Sequence, residues 1–141
     1  MANGQNLLLF YLNKIIVKVL VVDDEIDVKL LFEQKFRKEI RDKVIEFIFA
    51  FNGLEALDYL NSPGHEAVLI LSDINMPGMS GLELLKEIKA KSLMPPPIIM
   101  MITAYGDEDN FNMAKKLGAD EFLTKPLDFN NLKEKLIQLN K

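Results

Sequence analysis

The sequence predicts an α/β domain built on a five-stranded parallel sheet with helices on both faces. Two observations carry this. Short apolar runs alternate five times with segments whose apolar residues recur at helical spacing, the sequence order of a chain of βα units. The polar residues that interrupt this pattern, Asp23-Asp24, Asp73, Thr103 and Lys125, each follow or end one of the apolar runs. A parallel sheet gathers such strand ends at its carboxyl edge, where open α/β sheets place their ligands.

The elements follow in order. Val17 to Val22 is a β-branched run that stops at acids. Asp27 to Ile40 has helical spacing, with Val28, Leu31, Phe32 and Phe36 on one face. Val44 to Phe51 reads as a strand rich in Ile and Phe, Asn52-Gly53 turns, and Leu54 to Leu60 is a short helix broken by Asn61-Ser62-Pro63-Gly64. Val68 to Leu71 is a buried-type strand ending at Ser72-Asp73. After the Pro77-Gly78 loop, Ser80 and Glu83 have the spacing of a capping box, and Leu82, Leu85 and Ile88 line a helix face. Pro95-Pro96-Pro97 is a stiff, extended linker. Ile98 to Ile102 is a strand ending at Thr103, and Asp107 to Leu117 a helix closed by Gly118. Glu121 to Leu123 is a short strand, and Asp128 caps a last helix running to Leu139.

The chain has 141 residues, a formal net charge of -4 and no cysteine. The length suits one domain. The acidic balance argues against direct nucleic-acid binding, which needs a basic face. Without cysteine there is no disulfide, no thiol catalysis and no Cys-ligated zinc, and a reducing cytoplasm is permitted. Residues 1–16 read as an N-terminal arm or extra element before a domain of residues 17–141. The arm's apolar run, Leu7 to Leu12, is too short to span a bilayer, which takes roughly 20 residues, and it lacks a basic segment before it, as a secretory signal would have.

Taken singly, each polar strand-end residue has a plainer role: a helix cap for Asp23-Asp24, a turn acid for Asp73, a solvated lysine for Lys125. Their joint placement changes the reading. If the first and third strands are neighbours, as in the flavodoxin-like order 2-1-3-4-5, their ends lie about 4.8 Å apart. Two carboxylates about 5 Å apart repel by roughly 3 kcal/mol at an effective dielectric of about 20. Such a cluster needs a counter-charge or a proton. Carboxylate oxygens with open positions suit Mg²⁺, which shares its ligands with phosphate. A carboxylate nucleophile, a divalent cation, a lysine and a hydroxyl make a set for phosphoryl transfer.

The segments VKVLVVDDE, LILSDINMPGMSGLELL, IIMMITAY and ADEFLTKPL resemble the response-regulator receiver domain of two-component signalling. The resemblance covers about residues 17 to 140 and includes a Lys-Pro pair twenty-two residues beyond Thr103. It implies that Asp73 is phosphorylated, and that Asp23, Asp24, Asp73 and the backbone carbonyl of Asn75 hold Mg²⁺, with Mn²⁺ as a substitute. It further implies that Lys125 contacts the phosphoryl oxygens and that Thr103 and Phe122 form the switch, with Phe in place of the frequent Tyr. The Lys125-Pro126 position is commonly cis in the family. The implied protein is cytoplasmic, a monomer or weak dimer without a membrane span. It takes its phosphoryl group from a histidine kinase or phosphotransfer protein. It catalyses only its own phosphorylation and dephosphorylation. For a chain complete as given, a stand-alone receiver without an output domain is expected, signalling by protein contact through the region 107–139.

The alternatives fit less well. An Mg-dependent aspartyl phosphohydrolase of the haloacid-dehalogenase type uses a second Asp two residues after the nucleophile, where this chain has Asn75. A flavin carrier needs a Ser/Thr/Gly-rich phosphate loop after the first strand, where this chain has Asp-Asp-Glu. A degenerate receiver would lack some of the key residues, all of which are present.

Overall fold

The computed structural model describes residues 17–66 and 69–139. The expectations for the arm, residues 1–16, and for Val68 as part of the third strand lie outside the described residues. The elements are β1 (Val17–Val22), α1 (Ile26–Lys35), α2 (Arg37–Arg41), β2 (Ile45–Ala50), α3 (Gly53–Asn61) and β3 (Leu69–Asp73). They continue with α4 (Gly81–Ala90), β4 (Ile98–Thr103), α5 (Glu108–Lys116), β5 (Glu121–Thr124) and α6 (Phe129–Leu139).

The five strands form one parallel sheet in the order β2-β1-β3-β4-β5, the flavodoxin-like order expected. Side chains alternate across the strands and supply two cores. Leu20, Val22, Ile70, Ile99 and Met101 point to the face packed by Ala56, Leu84, Leu85, Ile88 and Ala114 of α3, α4 and α5. Val19, Val21, Leu69, Leu71, Met100 and Ile102 point to the face packed by Phe32, Phe36, Leu132 and Leu136. Burial on both faces explains why the central strands read as continuous apolar runs. Among the described residues no helix is long and apolar enough to cross a membrane.

The helix expected over 27–40 is two helices with Phe36 between them. Phe32 and Phe36 are fully buried, and their rings meet Phe47 at 5.3 and 5.0 Å and Phe129 at 5.2 and 6.1 Å. These contacts fix Phe36 in the core, and α2, which has no fully buried residue, resumes after it. Leu31, expected on the buried face, is 40% exposed, because Phe32 takes the inward position. The Lys125–Pro126 bond is cis, as the resemblance implies, and the proline linker holds a second cis bond at Met94–Pro95.

Helix ends are held locally. Gly118 (φ 98°) closes α5, where the Ala119 amide reaches the Ala114 carbonyl at 3.0 Å. At α4 only the forward half of the expected box forms, the Glu83 amide donating to Ser80 Oγ at 3.2 Å. At α3 a glutamate does reach back, to the amide of the residue before the cap. The Glu55 amide donates to Asn52 Oδ1 at 2.8 Å, and the Glu55 carboxylate accepts from the Phe51 amide at 3.2 Å. Asn52→Ala removes the first of these bonds and is expected to cost about 1 kcal/mol. A lowered denaturant midpoint with unchanged slope checks it.

Candidate functional site

The site is assembled from strand ends. Asp23 leaves β1 with its amide bonded to the Ala50 carbonyl at 3.1 Å. Val22 pairs with Ser72 and Asp73 pairs with Ile102, which brings Asp23 beside Asp73. At the next strand, Thr103 pairs with Thr124, and the Lys125 amide donates to the Thr103 carbonyl at 2.9 Å. Asp23 (7% exposed), Asp73 (2%) and Thr103 (3%) are buried at this edge.

The Asp73 carboxylate is held at both oxygens. Oδ2 accepts from Lys125 Nζ at 2.7 Å, and Oδ1 accepts from the Asn75 amide at 3.1 Å. Asp23 Oδ1 accepts from the Glu25 amide at 2.9 Å. Burial pushes the Asp23 carboxyl above its ordinary value, and the charge of Asp73 adds to the rise, while the Glu25 amide and Lys125 oppose it. At Lys125 burial by itself lowers the pKa. The hydrogen bond and charge of Asp73, with the charges of Asp23 and Glu25, outweigh it and hold the ammonium above its ordinary value. Its side chain is 39% exposed, so solvent screens the pair and it is better regarded as an orienting contact than as a source of stability.

Asp23, Asp24 and Asp73 each offer a carboxylate oxygen, and these atoms lie within 4.8 Å of one another. Three carboxylates against one lysine leave two negative charges, which a divalent cation neutralises. The donors are all hard oxygens, and the residues fit such an ion.

The structure therefore brings together Asp23, Asp24, Asp73, Thr103 and Lys125, with Asn75 joined to them through its amide. Phe122 stands apart. It is partly buried against the α3–α5 face of the sheet, with its ring 4.4 Å from that of Phe111. A groove of ≈ 620 Å³ opens beside the acids, lined among others by Asp23, Glu25, Leu31, Tyr105 and Lys125.

Two contributors escape a sequence reading. Glu25 acts through its backbone amide, which no side-chain pattern reveals. Gly81 donates its amide to the Ile74 carbonyl at 2.8 Å, and a Cβ there would lie 2.2 Å from the Asp73 carbonyl oxygen. The only signal for Gly81 was a glycine following a capping serine.

Comparison with known proteins agrees with this geometry. The family model described as "Response regulator receiver domain" matches residues 19–137. Sporulation initiation phosphotransferase F of Bacillus subtilis is 36% identical over 117 residues, covering 83% of this chain and 88% of that protein. A response regulator receiver protein from Pseudomonas putida superposes with a TM-score of 0.74 at 26% identity, covering 89% of this chain and 98% of that one. A chain from the co-crystal of the Saccharomyces cerevisiae histidine phosphotransfer signaling protein Ypd1 and the receiver domain of its downstream response regulator Ssk1 also matches. Its TM-score is 0.74 at 26% identity, covering 86% of this chain and 87% of that one. The chain thus belongs to the response regulator receiver domain family of two-component signalling, whose members accept a phosphoryl group at an aspartate cluster, catalyse only their own phosphorylation and dephosphorylation, and signal to partners by changing conformation.

Proposed function

We propose that Asp73 is the phospho-acceptor of this chain and that its donor is a phosphohistidine on a histidine kinase or phosphotransfer protein. The observation that carries this is the setting of Asp73. It is a carboxylate 2% exposed at a strand end, bridged at 2.7 Å to Lys125 and grouped with Asp23 and Asp24. An Asp73 oxygen would form a bond to phosphorus as the P–N bond of the donor breaks, and the departing imidazole nitrogen takes up a proton. Similarity to a chain from the Ypd1–Ssk1 complex supports a donor of this class.

Asp23, Asp24, Asp73 and the carbonyl of Asn75 would hold Mg²⁺, with Mn²⁺ as a substitute. When bound, the ion neutralises charge on the phosphoryl oxygens. Lys125 would move its ammonium from Asp73 to a phosphoryl oxygen, Thr103 would donate its hydroxyl to the same group, and Phe122 would report the change to the surface. The output face is the region 107–139, and its partner is a protein. This reading assigns residues 17–141 to the receiver and 1–16 to an arm, with no direct nucleic-acid contact. It expects a cytoplasmic protein, because histidine kinases draw their phosphate from ATP, and a monomer or weak dimer.

The test is incubation with Mg²⁺ and a small acyl phosphate, followed by borohydride trapping and peptide mapping. One phosphoryl group is expected, on the peptide holding Asp73, and none when the divalent cation is chelated. Label mapping to Asp23 or Asp24 would overturn the assignment. Turnover of free phosphomonoesters would favour a hydrolase instead.

A further inference from the structure

β2 is an edge strand, paired to β1 alone among the described residues. Its side chains Ile45, Phe47 and Phe49 fall on one face of the sheet, and with Ile40 of α2 they line a groove of ≈ 320 Å³ rimmed by Glu33 and Glu46. The groove lies on the sheet face opposite α3, α4 and α5. It has no part in the phosphoryl site. An apolar groove along an open strand edge is an invitation to pairing with another chain, and stable proteins cover such edges.

Where the described chain begins indicates what covers it. Val17 pairs with Ile45, and the Val17 amide donates to the Val44 carbonyl at 3.0 Å. The described chain thus begins, at Val17, next to the end of the groove, and sixteen residues precede it in sequence. Leu7 to Leu12 is six consecutive apolar residues without a charge. It is separated from Val17 by four residues, and the five steps from Val17 to Leu12 span at most about 17 Å. The groove runs along Ile45 to Phe49, about 13 Å of strand. We propose that residues 7–12 of this chain pack into the groove lined by Ile40, Ile45, Phe47 and Phe49 and cover the open β2 edge of the same molecule. A segment tethered this close holds a high effective concentration at the groove, which a second copy must match from solution.

The chain contains no cysteine, so introduced pairs report without background. Leu9→Cys is combined in the full-length chain with Glu46→Cys or with Glu33→Cys, both at exposed rim positions. The control combines Leu9→Cys with Lys86→Cys on α4, across the sheet. Under mild oxidation, an intramolecular disulfide is expected to form about tenfold faster at either rim position than in the control. Equal rates would overturn the proposal. Disulfide-linked dimers at the rim without an intramolecular product would overturn it as well and assign the groove to a second copy. As an independent readout, Leu7→Ser with Leu9→Ser is expected to speed amide exchange across Ile45–Ala50 by about tenfold. Unchanged exchange would count against it.

Discussion

Asp73→Asn is expected to abolish phosphoryl incorporation while leaving the protein folded. The loss of function follows from chemistry, since a neutral amide offers no carboxylate nucleophile. Retention of the fold follows from the surroundings. Asp73 is 2% exposed and lies beside Asp23, which is 7% exposed. Carboxylate oxygens about 5 Å apart repel by roughly 3 kcal/mol at an effective dielectric of about 20. The opposing contact is Lys125, whose side chain is 39% exposed and regains water when released. The amide oxygen of Asn can still accept from the Asn75 amide, which now holds Asp73 Oδ1 at 3.1 Å. Removing the charge therefore relieves a buried repulsion and strands no buried partner. Thermal unfolding should occur at or above the wild-type temperature, and mass spectrometry after acyl phosphate treatment should show no adduct. An intact variant that labels like the wild type would sink the role given to Asp73.

Gly81→Ala is the second large effect, and it acts on stability and on the site together. The new Cβ would stand 2.2 Å from the Asp73 carbonyl oxygen, 2.7 Å from Ile74 Cα and 2.9 Å from the Asp73 carbonyl carbon. All three are backbone atoms at the end of a strand buried along its whole length, so no flexible side chain can move aside. Overpacking of this kind costs about 3 kcal/mol, a fall in unfolding temperature on the order of 10 °C for a domain of this size. The relief available is a shift of α4 away from β3. That shift would lengthen the 2.8 Å bond from the Gly81 amide to the Ile74 carbonyl and turn the Asp73 peptide. Slower phosphorylation of the fraction that remains folded is the second expectation. Calorimetry and single-turnover labelling at a temperature well below the transition separate the two. Wild-type stability would show that the contact is not as tight as the backbone places it.

The site was legible because its chemistry sits where one-dimensional patterns stop. Asp23-Asp24, Asp73, Thr103 and Lys125 each punctuate an apolar run, and a parallel sheet turns such punctuation into proximity. The elements were legible for a similar reason, since strand runs and helical spacing are local properties. The single helix read over 27–40 failed because periodicity continues through Phe36, and only the rings of Phe47 and Phe129 fix where that residue must lie. The capping box read at Ser80 failed in its return half, while at α3 the Glu55 amide donates to Asn52 and the Glu55 carboxylate accepts from the Phe51 amide. Spacing permits a cap, but the direction in which a glutamate points depends on what else it can reach.

The sequence alone determined that this chain folds as alternating strands and helices, and that acids, a hydroxyl and a lysine meet at one edge. It did so through hydrophobic period and residue type, which act over a few residues at a time. Tertiary structure decided which groups pair. Lys125 reaches Asp73 across fifty-two residues of chain, and strand order brings Asp23 beside the same carboxylate. It also decided that Gly81 seats α4 against the Asp73 backbone, and that among the described residues an apolar groove runs along β2 near Val17, where the described chain begins. These depend on strand order and on the volume left between packed elements, and neither is encoded within any one segment of the chain.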